Sequence, residues 1–287
     1  MLRPGDKVGI VCCSNGILDV YRPIIENLIV CLRKIGLEPI CSDFIFQTNS
    51  VFSGTGKERA EALMKFYKKK EIKAIFDISG GDLANELLHD LDFEQIKNNP
   101  KPFWGYSDLT TIINAIYAKT GQVSYLYQIR NLISEFSWQI KNFCKLVFQD
   151  KKELLEFQYQ FLQGKQMQGV VIGGNIRCFL KLAGTPYMPE FKDKILFLES
   201  RGGEVAQMTT YLNQLKQMGV FREIRGILLG TFLTMEEQNC IPTIQELVMQ
   251  TVENVNIPIA KTEEIGHRKD SKCLIIGKEI HLGNSSV

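Results

Sequence analysis

Apolar runs of strand length alternate with amphipathic helical stretches, and this alternation predicts an α/β protein: a doubly wound parallel sheet in the first half and a smaller α/β unit behind it. Three observations carry the expectation. The chain opens with a β-α-β unit; strands run directly into helices at Ser79-Gly80-Gly81 and at Tyr106-Ser107; and the pattern loosens from Tyr125 to Lys165 before a new strand begins at Gln168. The corresponding boundaries are a first domain over 1–125, a connecting segment over 126–166 and a second domain over 167–287.

Lys7 to Cys13 is a continuous apolar run ended by the turn chemistry of Ser14-Asn15-Gly16, as expected of a buried parallel strand. Tyr21 to Ile35 has helical spacing and stops at Gly36, and Glu38 to Cys41 forms a second strand. Gly54-Thr55-Gly56 is a link; no strand leads into it and no full G-x-G-x-x-G is present, so a dinucleotide site is not expected. Lys57 to Lys70 reads as a helix and Ala74 to Ile78 as a strand, which turns through two glycines into a helix over Leu83 to Leu91. Phe103 to Tyr106 is a short buried strand, and Ser107 stands on its turn into the next helix. In a doubly wound sheet the loops at the carboxyl ends of the strands share one rim, which puts Gly80-Gly81 and Ser107 together.

In the second half, Phe136 to Phe148 and Ile176 to Ala183 read as helices, with Gly173-Gly174-Asn175 as the turn into the latter. Lys194 to Glu199 is a buried strand ending on an acid, Met208 to Met218 a helix, Gly226 to Gly230 a strand and Thr243 to Val255 a helix. Ile257 to Ala260 is strand-like, Ile265 to Asp270 a polar loop, and Lys272 to Ile276 and Lys278 to Leu282 close the chain.

Composition narrows the function classes. The 34 basic against 32 acidic residues give a formal charge of +2, and no basic stripe interleaves with aromatics, so a nucleic-acid polymer is not expected as partner. The run Lys68-Lys69-Lys70 falls at a helix end, where cations complement the dipole. Eight cysteines without a C-x-x-C pair read as free thiols, and no run reaches membrane-spanning length. With no signal-like apolar segment at the start, a reducing cytoplasm is the expectation. Three dispersed histidines make a poor metal set, so neither metal nor cofactor is expected.

A serine on a strand-to-helix turn can act as a nucleophile, because the first N–H groups of the helix lack partners and face developing negative charge. Gly-Tyr-Ser-Asp-Leu lacks the second glycine of G-x-S-x-G, so an ordinary N-cap serine remains open on spacing alone. Glu199 at a strand end equally suits a solvent-reaching acid. His89 on a polar helix side and His281 in a terminal strand read as surface residues.

Taken together, these motifs resemble the LD-carboxypeptidase family of serine peptidases, which includes muramoyltetrapeptide carboxypeptidases and microcin C self-immunity peptidases. The resemblance begins at Leu2-Arg3-Pro4-Gly5-Asp6-Lys7, passes through Gly80-Gly81 and Asn85-Glu86-Leu87-Leu88, and is strongest over Lys101 to Thr110. Gly173-Gly174-Asn175, Ile195 to Glu199, Leu212 to Gly219, Gly226 to Gly230 and Gly266-His267 extend it. It implies a Rossmann-like N-terminal domain with a parallel sheet plus a smaller C-terminal α/β domain. It further implies Ser107 as nucleophile, His267 as general base, Glu199 as the carboxylate orienting it, and an oxyanion hole of backbone donors at Gly80, Gly81 and Asp108.

The implied reaction is hydrolysis of an L,D amide to a C-terminal D-amino acid, as in murein tetrapeptide recycling, by a cytoplasmic homodimer. The alternatives are an immunity-type amidase acting on a peptide-nucleotide and a non-catalytic small-molecule binding protein of the same fold. Asp82 stands where family members often carry tyrosine, and suits either the pocket mouth or a helix cap. Trp138 suits stacking on a base or, at its helical spacing, core packing. Ser124 to Gln128 and Cys273 to Gly277 also depart from the family pattern, touching pocket walls more than the three reacting residues.

Overall fold

The computed structural model describes residues 1–252 and 256–283. Its first sheet collects β1 (Lys7–Val11), β2 (Glu38–Cys41), β3 (Ile72–Asp77), β4 (Phe103–Gly105) and β5 (Ser124–Leu126) as parallel neighbours in the order β2-β1-β3-β4-β5. The helices α1 (Arg22–Lys34), α2 (Gly56–Lys68), α3 (Phe93–Asn98) and α4 (Thr110–Thr120) connect these strands. Burial follows the sequence pattern: β1 is buried from Val8 to Val11, and α1 turns Ile25, Leu28 and Leu32 inward. Helix α2 starts with a capping box in which Thr55 and Glu58 satisfy each other's backbone N–H, so Gly54-Thr55-Gly56 is a helix entry.

After α5 (Trp138–Gln149), the second sheet is built from β6 (Gln160–Gln163), β7 (Gln166–Asn175), β8 (Lys194–Ser200), β9 (Gly226–Phe232), β10 (Ile259–Lys261) and β12 (Glu279–Gly283). Its order is β12-β7-β8-β9-β10-β6, with β7 to β10 parallel and an antiparallel strand at each edge. Helices α6 (Ile176–Leu180), α7 (Val205–Gln217), α8 (Leu233–Glu237) and α9 (Ile244–Thr251) belong to this half. The end of the helix expected over Thr243 to Val255 falls on 253–255, outside the described residues.

Long-range pairing departs from the local pattern in two places. Strand β6 lies in the stretch read as a connection yet pairs with β10, and β11 (Leu274–Ile276) returns to the first sheet, antiparallel to β5. Two local readings also change. The helix expected over Leu83 to Leu91 is a 3-10 helix, Ala84–Asp90, whose entry donors are taken by distant side chains: Leu83 N–H by Ser14 Oγ at 3.3 Å and Ala84 N–H by Asp108 Oδ2 at 2.8 Å. Gly173-Gly174-Asn175, expected as a turn, completes strand β7 and pairs with β8.

That last change joins the two halves. Asn114 of α4 donates to Gly173 O at 2.8 Å and accepts from Gly173 N–H at 2.9 Å, while Thr110 Oγ1 accepts from Asn175 N–H at 3.0 Å. Gly174 has φ +140°, and a Cβ there would stand 2.5 Å from Thr110 Oγ1, so only glycine allows the helix this close. One hydrophobic cluster accordingly runs through both sheets, joining Leu109 and Ile113 to Ile172, Phe197 and Leu228. The helix that starts just after Ser107 is thus fixed to the strand beside the one carrying Glu199.

Candidate active site

Each candidate side chain sits at a carboxyl end of its sheet. Ser107 follows β4, Gly80-Gly81 follow β3, Glu199 is near the end of β8, and His267 is in the loop after β10. Ser107 has φ +57°, the left-handed region that a side-chain-bearing residue adopts only when its surroundings impose it. The chain goes from Gly105 in β4 through extended Tyr106 to this one strained residue and then a short 3-10 turn, Ser107–Leu109, into α4. The strain turns the hydroxyl out of the sheet into a cavity of about 480 Å³ that Gly80, Gly81, Tyr106 and His267 also line.

The structure brings Ser107, His267 and Glu199 into contact across the two halves. Ser107 Oγ lies 3.0 Å from His267 Nε2, and His267 Nδ1 lies 2.5 Å from Glu199 Oε2. A carboxylate only accepts, so Nδ1 carries the proton and Nε2 is left with its lone pair toward the serine hydroxyl. Glu199 is completely buried and the His267 side chain is 9% exposed, so the line is open to solvent at the serine end. Chemically, the imidazole can take the hydroxyl proton as the oxygen attacks, and the buried carboxylate stabilises the resulting imidazolium.

Tyr106 was not singled out from the sequence, although it precedes Ser107. Its ring meets His267 edge-on at 4.9 Å between centroids, fixing the imidazole plane from the side. Burial first and the Glu199 charge second push its phenol well above the ordinary tyrosine range, so it stays protonated. The buried Tyr106 phenol thus stands against the Glu199 carboxylate as well as the imidazole.

The turn that carries Gly80 and Gly81 is held by Asn15 in the loop after β1. Gly81 has φ +127°, and a Cβ would fall 2.2 Å from the Asn15 side chain, whose Oδ1 also accepts from Asp82 N–H at 2.9 Å. At Gly80 a Cβ would meet nothing within 4 Å, so its backbone is open to the cavity.

Asp108 has a second part that its backbone role does not suggest. Its carboxylate is fully buried and accepts from Ser14 Oγ at 2.7 Å, Ala84 N–H at 2.8 Å and Lys181 Nζ at 2.6 Å, tying the serine turn to β1, to the 3-10 helix and to the second half. Sequence spacing offers no signal for this, because the partners lie up to 94 positions away.

Asp82 caps no helix: it pairs with Arg177 and lies 3.6 Å from Lys181 Nζ, so its charge at the mouth is compensated. Trp138 packs against the hydrophobic cluster of Phe76, Trp104 and Phe143 and is absent from the cavity wall. His89 and His281 are exposed, at the end of the 3-10 helix and on edge strand β12. Among the described residues, no group of three or more His, Cys, Asp or Glu side chains is placed to hold a metal ion, and no helix is long and apolar enough to cross a membrane.

A strained serine facing a carboxylate-backed imidazole between two α/β sheets defines a class, the serine hydrolases. The comparisons narrow it. Residues 8–127 match the LD-carboxypeptidase N-terminal domain and residues 168–282 the LD-carboxypeptidase C-terminal domain, and the chain belongs to the LD-carboxypeptidase family of serine peptidases. It is 26% identical to the probable murein peptide carboxypeptidase of Bacillus subtilis, over 99% of this chain and 91% of that one. Identity to the microcin C7 self-immunity protein MccF of Escherichia coli is 25%, over 98% and 91%. Among solved structures, the MccF-like protein of Bacillus anthracis superposes with a TM-score of 0.85 at 26% identity, over 99% of this chain and 95% of that one.

Proposed function

We propose that this protein is a cytoplasmic carboxypeptidase that uses Ser107, His267 and Glu199 as a catalytic triad to release a C-terminal D-amino acid from an L,D-linked peptide such as murein tetrapeptide. The observation that carries the reading is the continuous hydrogen-bonded line, 3.0 Å from Ser107 Oγ to His267 Nε2 and 2.5 Å from His267 Nδ1 to Glu199. His267 takes the proton as Ser107 Oγ attacks the scissile carbonyl, then returns it to the leaving amine; water repeats the cycle on the acyl-enzyme. Backbone N–H groups of Gly80, Gly81 and Asp108 receive the oxyanion, each contributing on the order of 10²–10³ in rate. Eight free cysteines suit a reducing compartment, and the family resemblance suggests a homodimer, which light scattering tests.

The immunity-type reading requires room and a platform for a nucleobase. Trp138 packs against the core and does not line the cavity, whereas Tyr21 is an exposed aromatic on the cavity wall, so the wall keeps one ring on which a base could stack. Mass spectrometry of products from murein tetrapeptide and from a peptidyl sulfamoyl adenosine decides between them. Release of the terminal D-amino acid, abolished in Ser107→Ala, supports the proposal; cleavage of the nucleotide conjugate alone supports the alternative, and cleavage of neither favours a binding protein.

A further inference from the structure

Besides the reacting residues, the cavity wall holds three guanidinium groups, Arg130, Arg201 and Arg268, and no carboxylate. Arg268 is directed in part to Glu236, 3.4 Å away. The side chains of Arg130 and Arg201 make no hydrogen bond or ion pair among the described residues, although both belong to well-fixed segments. Arg130 lies in the 3-10 helix Ile129–Ile133 that follows β5, at the same rim as Ser107. Arg201 stands two residues beyond Glu199 and its carbonyl is held by both Thr234 N–H at 3.0 Å and Thr234 Oγ1 at 2.8 Å.

Arg130 is the more telling of the two because it is partly buried, whereas Arg201 is exposed. Burial draws its ionisation down, Cys12 and Asp77 pull it up, and the Arg201 charge draws it down again, so two like charges are held near each other. Asp77 is a poor counterion for it: its carboxylate is already occupied by Cys13 N–H at 2.8 Å, Ser79 N–H at 2.7 Å and Ser79 Oγ at 2.5 Å. A guanidinium keeps its charge under such conditions. A partly desolvated cation in a cleft, with a second cation beside it and no anion bonded to either among the described residues, is a ready site for an anion.

Resting on the carboxypeptidase reading, we propose that Arg130, assisted by Arg201, binds the free C-terminal carboxylate of the substrate, and that this pair makes the enzyme require a chain end. The planar carboxylate matches the fork of a guanidinium in two parallel N–H···O bonds. In a peptide ending one residue beyond the scissile amide, that carboxylate is separated from the attacked carbonyl carbon only by the amide nitrogen and one Cα. The anchoring group and the reacting group then fit a cavity of about 480 Å³ together. Arg130 acts here as a specificity residue.

The test compares murein tetrapeptide with the same peptide ending in a carboxamide. Wild-type enzyme should favour the free acid by about a hundredfold in kcat/KM, the discrimination expected when a partly buried charged donor is left without its partner. Arg130→Met should erase most of this preference, chiefly through KM, and leave the slow carboxamide reaction within about twofold. Arg130→Lys should recover part of the preference, since an ammonium supplies charge without the fork. Equal loss on both peptides, or a preference that survives Arg130→Met, overturns the proposal.

Binding separates this inference from the hydrolytic reading. Calorimetry on Ser107→Ala, in which turnover is blocked, should show the free acid binding at least tenfold more tightly than the carboxamide, with the difference lost on adding Arg130→Met. That result sustains the carboxylate site even if wild-type enzyme cleaves neither peptide. Failure of the free acid to bind, or Arg130-dependent binding of adenosine monophosphate in its place, sinks it.

Discussion

Replacing Glu199 with glutamine separates function from stability at one atom position. The Glu199 carboxylate is completely buried and lies 2.5 Å from His267 Nδ1. When Ser107 attacks, His267 becomes an imidazolium, and its charge centre lies about 4 Å from that of the carboxylate. At the effective dielectric constant of about 20 that suits such sites, the attraction is about 4 kcal/mol. Removing it by Glu199→Gln should therefore lower kcat by about a thousandfold. A glutamine that turns its NH2 toward Nδ1 would also select the wrong tautomer and deepen the loss toward 10⁴.

Folding should respond in the opposite sense, because an amide is far easier to bury than a fully buried carboxylate. The thermal midpoint of Glu199→Gln is expected to equal or exceed that of the parent. The assay is D-amino acid release at saturating tetrapeptide beside a calorimetric melt of each protein. Activity retained within tenfold, or a melt lowered by ten degrees or more, would refute the assignment and make Glu199 a structural acid.

Three further outcomes follow from the same geometry. Gly81→Ala places a Cβ 2.2 Å from Asn15 at φ +127°, so kcat should drop by 10²–10³ as the turn shifts, while a serine-directed probe still reaches Ser107. On the acid side of the pH profile, kcat/KM should fall tenfold per pH unit, since an imidazolium cannot accept the serine proton; a flat profile would remove His267 as base. Thr243→Ala opens the capping box of α9 and should lower the melting midpoint by roughly 2–4 °C at neutral pH. Glu246 is held below the ordinary carboxylate range by the Thr243 N–H and then its hydroxyl; that contribution is full above the unfolded carboxylate pKa and vanishes as pH falls through the depressed folded value. Alanine keeps the backbone N–H and loses only the hydroxyl, so the gap between parent and Thr243→Ala should narrow in acid without closing, because in the parent Thr243 Oγ1 still accepts from Glu246 N–H.

Much of this architecture is legible in local pattern. The apolar runs of β1, β3, β8 and β9 declare themselves because strands buried on both faces need no alternation, and turn residues mark where each ends. Ser107, Glu199 and His267 were reachable because each sits at a strand end or in the polar loop beyond one. Sheet allegiance was not legible: Leu274-Ile275-Ile276 has the same composition whether it lies in the second sheet or, as found, against β5 in the first. Nor was the function of Asp108, Asn15 or Tyr106, because their partners become neighbours only after the strands are ordered. Arg130 is the instructive case, since an arginine four residues past a short strand carries no motif. Its meaning comes from a partly buried guanidinium on the cavity wall with no carboxylate bonded to it among the described residues.

The central claim is that the Ser107 hydroxyl is made nucleophilic by His267, and covalent labelling with a fluorophosphonate reads this directly. Peptide mass spectrometry of the labelled protein should place the adduct on Ser107, with the labelling rate falling by orders of magnitude in His267→Ala while that variant melts as a folded protein. An adduct on another residue, or undiminished labelling of Ser107 without the imidazole, would contradict the account.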